Sequence, residues 1–290
     1  MMRVQISWCL FVLAAATVSA EAQAPTVWDS VAAVLAVPPA PAVGYHRFGL
    51  ARRDLTIRVG DVAVATGLAV TGWIGFDGDG SHAMVMGDVI VTPSELPAVT
   101  REMVDQGIAI MAVHNHIVGE TPQIFYVHFH ADGQPLALAR SLDRVLAKTG
   151  LPRPATPTAA VPVTIDTAMA FGALGKSGRA QGAVASLSFN LIPGEVRMGG
   201  TALLANMALA TPVNLQQLGP TRLIATGDFT VLAAQVQSVI RALVKHGITP
   251  TAIHSHLVGE SPTVSYIHFW VDGTPKDVLA GLRAGVDAAH

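Results

Sequence analysis

HNHIVGETPQIFYVHFHADGQP, residues 114–135, and HSHLVGESPTVSYIHFWVDGTP, residues 254–275, share twelve of 22 positions at a constant offset of 140. Chance does not produce such a match, and a repeat missed at the outset misreads the whole fold. The likeness extends upstream, where Gly87-Asp88 aligns with Gly227-Asp228 and Gly107-Ile108 with Gly247-Ile248. Asp29 and Asp166 are expected to open the two copies, at a slightly different offset. Between the copies, the run from Gly150 to Pro162 is rich in proline, which suits an extended connection. The expected plan is a first repeat domain over 25–150, a linker over 151–163 and a second repeat domain over 164–290.

Each copy reads as strands, helix, hairpin, helix. Thr92-Pro93-Ser94-Glu95 has capping-box spacing, with proline at the first helical position. Leu96, Val99, Met103 and Val104 then form a helical stripe that Gly107 stops. Val236, Val239, Ile240, Leu243 and Val244 repeat that stripe before Gly247. Pro135 opens a further helix with Leu138, Leu142, Val145 and Leu146 on one face. Residues 55–91 and 184–229 are rich in β-branched residues and punctuated by glycine, so they read as short strands. The predicted class is α+β, two homologous domains from an internal duplication, each a mainly antiparallel sheet with helices packed on one face.

Four of the eleven histidines fall in residues 114–130 and three more in 254–270. Strand side chains alternate between faces. His114 and His116 therefore share a face, with Met111 and Val113 opposite; Tyr126, His128 and His130 share a face against Phe125, Val127 and Phe129. The second copy sets His254, His256, Tyr266 and His268 against Ile253, Ile267 and Phe269. One face of each hairpin is apolar enough to lie under helices, and the other gathers imidazoles from two strands.

Two such imidazoles on one strand, a third across the hairpin and a loop carboxylate make a three-histidine, one-carboxylate ligand set. The candidate metal ligands are His114, His116, Glu120 and His128, with His254, His256, Glu260 and His268 in the second copy. Borderline N/O ligation of this kind suits a divalent ion, zinc foremost, with Mn, Fe or Cu(II) also fitting. The glutamates could equally serve as general base beside a metal-bound water. The spacing H-x-H-x3-E matches the first half of the cupin metal motif, but the second half is missing and a helix stands just upstream. Two other readings stay open: histidines lining a polar groove in a non-catalytic ligand- or partner-binding module, or a hydrogen-bonded histidine network. Whether each copy holds its own ion or the two share one cleft also stays open.

Several residues are read as structural. His130 faces Trp270 in the alignment and is peripheral, Tyr126 and Tyr266 read as core or supporting residues, and Asp132-Gly133 and Asp272-Gly273 read as turns. His46, His82, His246 and His290 have no repeated partner and are expected at the surface. Ser255 sits between two histidines, but its counterpart is Asn115, which argues against a nucleophile. No G-x-S-x-G elbow, P-loop or Rossmann glycine pattern supports a hydrolase or nucleotide reading.

Composition narrows the setting. Apolar residues make up 51% of the 290 and charged residues only 13%, enough for a large core. A net charge of -2, with no lysine- or arginine-rich run, argues against nucleic acid or an anionic membrane surface as partner. Arg3, the apolar run Ile6 to Val18 and the small residues at Val18-Ser19-Ala20 or Ala22-Gln23-Ala24 have the layout of a secretory signal over 1–24. The run is shorter than the roughly 20 residues a spanning helix needs, so no stable membrane insertion is expected after cleavage. Cys9, the single cysteine, lies inside that run, so the mature chain would have neither disulfides nor thiolate ligands. The expected location is the periplasm or the outside of the cell.

The phrase H-[NS]-H-[IL]-V-G-E-[ST]-P-x-[IV]-x-Y-[VI]-H-F, preceded by a Gly-Asp strand and a helix ending in Gly-Ile, resembles the LppY/LpqO family of bacterial exported proteins. The likeness covers most of the chain, and its motif occurs twice. It implies the two-domain plan and export, as an envelope protein or lipoprotein, and implies no particular activity. This sequence departs from the lipoprotein members in having no cysteine at the cleavage point, which argues against a lipid anchor.

Overall fold

The computed structural model describes residues 26–155 and 161–290, which leaves the expected signal segment and the middle of the linker outside the described residues. In chain order the first half is α1 (Val27–Leu35), β1 (Pro39–Ala40), β2 (His46–Ala51), β3 (Arg58–Val59), β4 (Val62–Ala63), α2 (Thr66–Ala69), β5 (Thr71–Gly78), β6 (Ala83–Val91), α3 (Leu96–Asp105), β7 (Ala109–His114), β8 (Glu120–Thr121), β9 (Phe125–Gly133) and α4 (Pro135–Leu146). The second half is α5 (Thr167–Leu174), β10 (Arg179–Gln181), β11 (Val184–Asn190), β12 (Arg197–Met198), β13 (Thr201–Ala202), β14 (Ala210–Gly219), β15 (Arg222–Leu232), α6 (Val236–Lys245), β16 (Thr249–His254), β17 (Glu260–Ser261), β18 (Val264–Gly273) and α7 (Pro275–Asp287).

The halves repeat one antiparallel topology. Strand order is β1-β2-β5-β6-β9-β7 in one six-stranded sheet and β10-β11-β14-β15-β18-β16 in the other. Three-stranded sheets, β4-β3-β8 and β13-β12-β17, tie each hairpin loop to an arm from earlier in the same half. The apolar side of the first sheet, with Phe48, Phe76, Val127 and Phe129, packs under α1, α3 and α4. Ile267, Phe269 and Phe229 do the same under α5, α6 and α7. Each fully buried side chain of this kind stabilises the fold by roughly 1.5–3 kcal/mol.

The opposite sides of the two sheets meet each other. Ile224 of β15 packs into a first-half cluster with Leu68, Ile90 and Tyr126, while Met84 and Met86 of β6 pack among Met198, Leu257 and Tyr266. The layers thus run helices, sheet, sheet, helices. Reciprocal arms fasten the junction. The Gln216 amide receives the Ala65 N–H at 2.9 Å and donates to the Ala63 carbonyl at 2.9 Å, and Arg222 reaches Asp61 at 2.6 Å. From the other side, the Asn206 amide donates to the Val43 carbonyl at 2.6 Å.

Several local expectations change. Helix α3 begins at Leu96, and α6 at the matching Val236; the Glu95 carboxylate receives the Thr92 N–H and is also held by Arg52 at 2.9 Å and by the Gly150 N–H at 2.6 Å. Thr92–Glu95 is a turn, and Pro93 precedes the helix. Val104 and Val244 are 67% and 57% exposed and drop out of the helical stripes; Val99 and Met103 or Val239 and Leu243 are buried, with Leu96 or Val236 and Ile240 packed beside them against the core. Strands β6 and β15 are nine and eleven residues long, not short. The helices opening the two copies are capped by Thr26 and Asp166, 140 residues apart; Asp29 is the third residue of α1 and closes the capping box with Thr26.

Asp132 and Asp272 lie on β9 and β18, paired with Met84 and Ile224, and so are not turn residues. His46 is half-buried and stacks on Trp28 at 3.8 Å, whereas His82, His246 and His290 are exposed. The start of the expected linker packs on the first half, with Leu151 buried and the Ala155 N–H bonded to the Ala36 carbonyl at 2.9 Å. Among the described residues no helix is long and apolar enough to cross a membrane.

Candidate metal centre

Register decides which side chains converge. In the first sheet β9 lies between β6 and β7, so His128 stands opposite Asp88 and Ala112, and Tyr126 opposite Ile90 and His114. In the second sheet His268 stands opposite Asp228 and Ala252, and Tyr266 opposite Thr230 and His254. Directly paired residues share a sheet face, so these imidazoles and aspartates all point into the junction between halves. His116 and His256 follow just beyond the ends of β7 and β16.

Irregularities adjust the expected alternation. A bulge between Ile110 and Ala112 shifts the phase of β7, and Met111 packs at the junction beside Met84 and Met86 instead of under the helices. The matching bulge in β16 lets the Thr251 hydroxyl donate to the His116 carbonyl at 2.7 Å, across the junction. Val113 and Ile253 do point away from the histidines, but β7 and β16 are sheet edges beyond the helical cover, so these residues are 44% and 52% exposed.

The six imidazoles form one cluster, not two. The rings of His114 and His254 are 4.0 Å apart between the halves, His116 lies 3.9 Å from His268, and His128 lies 3.8 Å from His256. The last two pairs are related by the offset of 140 and match in separation, but the rings cross at 60° in the first and stack at 19° in the second. Nε2 of His268 lies 2.8 Å from that of His254 and 3.0 Å from that of His256. Asp228 Oδ1 lies 3.4 Å from His116 Nδ1 and 2.5 Å from His268 Nδ1. This last contact lacks the alignment of a hydrogen bond.

Buried polar atoms normally have partners. Among the described residues the buried side-chain atoms without one include Asp88 Oδ1, His114 Nε2, His128 Nε2, Asp228 Oδ1 and His268 Nδ1, all in this cluster. Burial holds all six histidines below their ordinary range, His116 at about 3, and neighbouring imidazoles add to the effect for all but His254. Burial also raises both aspartates, Asp88 to about 7. The site is thus a set of neutral imidazoles with lone pairs available to a cation.

The ligand atoms of His114, His254, His256 and His268 lie within 4.8 Å of one another, as do those of His116, Asp228 and His268. Tetrahedral zinc with bonds of 2.0–2.1 Å separates its ligand atoms by about 3.4 Å, so small ring movements would bring these nitrogens into place.

The structure does not bring Glu120 and Glu260 to this cluster. Glu120 Oε1 receives the Ile124 N–H and the Asn115 amide, both at 3.3 Å; Glu260 Oε1 receives the Val264 N–H at 3.1 Å. Both brace their own loops. Asp228 is the carboxylate that reaches imidazole nitrogens, and its counterpart Asp88 stands opposite His128 in the sheet; the sequence signal for both was the repeated Gly-Asp pair. A Cβ at Gly87 would lie 1.9 Å from the Trp73 carbonyl oxygen, and one at Gly227 2.0 Å from that of Pro212. Glycine there lets the neighbouring strand close up and fixes the aspartate that follows.

The tyrosines support the site. Their hydroxyls donate to the carbonyls of Ala69 and Ala208, while their rings lie 4.1 Å from His116 and 3.8 Å from His256. His130 stands aside, 3.2 Å from Asp132. A cleft of about 820 Å³ between the sheets is lined by Asp88, His116, His128, Asp228 and His256 among others, which gives solutes a path to the cluster.

The family profile described as "Domain of Unknown Function (DUF1259)" matches residues 29–148 and again residues 169–288. The chain belongs to that family. Each DUF1259 copy contributes one Gly-Asp strand and one histidine hairpin, and the matched spans are offset by the same 140 residues as the motif. No curated protein matches the chain. Among solved structures, the fused permuted hexameric shell protein MSM0275 from the RMM microcompartment matches at 15% identity, over 71% of this chain and 85% of that one, with a TM-score of 0.18.

Proposed function

We propose that this DUF1259 protein binds a divalent metal ion, zinc foremost, at the junction of its two halves. The observation that carries the reading is the convergence of six neutral imidazoles from both copies, three of them buried and three half-buried, several with unpartnered nitrogens. His114, His254, His256 and His268 are the central donors, with His116 and Asp228 beside them. The adjoining cleft would let a solute reach the ion, as a metal-dependent enzyme requires. Calorimetric titration of metal-stripped protein with zinc is expected to show saturable binding of at least one ion per chain. Protein that stays metal-free after reconstitution would contradict the reading.

Within the family, the doubled hairpin phrase supports placement in the LppY/LpqO group of exported proteins. The signal-like pattern of residues 1–24 supports a periplasmic or secreted location. N-terminal sequencing of protein recovered from outside the cytoplasm should begin just after Ala20 or Ala24; an intact N-terminus retained in the cytoplasm would contradict export.

A further inference from the structure

Each half contributes one wall to the cleft between the sheets, and strand register shows which positions correspond. Gly87 and Gly227, matched by the offset of 140, face Ile74 and Val213. Gly75 therefore matches Asn214, and Arg47, which pairs with Gly75, matches Ser186, which pairs with Asn214. One residue the other way, Trp73 matches Pro212. The histidine hairpins recur in both copies, but these walls do not. The first half lines the cleft with an arginine and an indole where the second has Ser186 and Pro212.

Arg47 and Trp73 form one unit. A Cβ at Gly75 would lie 2.7 Å from the Trp73 ring and 3.1 Å from both Met207 and Tyr45, so glycine there makes room for the indole beside them. The Arg47 guanidinium stands over that indole, 4.7 Å from its centre, and donates to the Tyr45 hydroxyl at 3.4 Å. Stacking of this kind holds the guanidinium plane and leaves its edge to recognise a planar anion. Arg47 is half-buried, and among the described residues it takes part in none of the arginine ion pairs. Asp88 feels its charge without pairing with it. The other arginine of the cleft, Arg179, is exposed on the edge strand β10. Trp73 pairs with Asp88 and Asp88 with His128, so this wall leads to the imidazoles.

We infer that the cleft binds a small organic monocarboxylate, its carboxylate on Arg47 and its apolar body among Tyr45, Met86 and Met207. One guanidinium matches one carboxylate through two parallel hydrogen bonds. With Arg179 exposed, the wall offers a single inward cation, which suits a monoanion over a phosphate dianion. The inference deepens the metal reading by naming the class of solute that would meet the ion, and it rests on that reading for this role alone.

The test is calorimetric titration of the full chain, zinc-loaded and metal-free, with benzoate and with its uncharged analogue benzamide. In both forms the wild type is expected to bind benzoate saturably and about tenfold or more tighter than benzamide. Arg47→Met, with unchanged circular dichroism, is expected to lose about tenfold or more of the benzoate affinity. No saturable uptake of benzoate, equal affinity for the two probes, unchanged affinity in the variant, or tighter binding of inorganic phosphate would overturn the inference, whatever zinc does. A preference confined to the zinc-loaded form would assign the carboxylate to the ion and overturn it too. Discrimination by Arg47 in protein that takes up no zinc would keep the anion subsite and sink the metal reading. Should the variant fail to fold, the comparison of benzoate with benzamide in the metal-free wild type decides alone.

Discussion

His268 shows what a single residue contributes. It is fully buried, its Nε2 approaches His254 and His256, and its Nδ1 lies beside Asp228. A carboxylate beside a ligating imidazole orients the ring and raises its basicity, an effect worth roughly 10–100-fold in affinity. His268→Ala is therefore expected to weaken zinc binding by about a hundredfold or more, and Asp228→Asn by at least tenfold, in calorimetric titrations. Unaltered affinity in the histidine variant would remove the central donor set from the account. At this scale the histidines were legible, because alternation along a strand is a steric necessity. The aspartates were marked only by the repeated Gly-Asp pair, which shows that the position recurs but not which histidine it faces until the strand pairing is known. Glu120 and Glu260 misled for the converse reason: their spacing fits a ligand, but the loop turns each carboxylate onto its own backbone.

Among the elements, β6 and β15 matter most, because each sets an aspartate against a histidine of the neighbouring strand. Their close packing depends on Gly87 and Gly227. Gly87→Ala would drive a methyl group into the Trp73 carbonyl, and the strands would have to separate. A loss of about 2–3 kcal/mol is expected in urea denaturation. A variant as stable as the wild type would show that the close approach is not needed. Helix interiors, strand runs and the glycine stops were legible from periodicity. The start of α3 was not: it lies at Leu96, and α6 likewise starts only after Gln235, whose side chain receives the Leu232 N–H as Glu95 receives that of Thr92. Nor was the exposure of Val113 and Ile253, which depends on which strands end each sheet.

For the molecule as a whole, duplication was the strongest signal in the sequence, and it carried the fold class. It could not show that the two imidazole faces oppose each other, which depends on arms such as Gln216 and Asn206 that carry no motif. Taking six imidazoles largely out of water has a consequence for stability. In the metal-free protein they titrate below 6.5 when folded and near 6.5 when unfolded. Below pH 6.5 the unfolded chain then binds more protons, and stability falls as the pH drops. The raised aspartates act oppositely, Asp88 contributing most below its unfolded value of 3.8 and losing that contribution as pH rises through about 7. Six histidines outweigh two aspartates. The melting temperature of metal-stripped protein should thus be lower at about pH 5 than at about pH 7.5, with a slope of up to roughly 1.4 kcal/mol per pH unit for each extra proton taken up by the unfolded chain. A melting temperature that does not fall on acidification would mean the imidazoles are not buried in neutral form.

Anomalous X-ray diffraction from zinc-loaded crystals examines the shared centre most directly. The account predicts density at bonding distance from imidazole nitrogens of both halves, among His114, His254, His256 and His268. Zinc held by one half alone, or found only outside the junction, would contradict it.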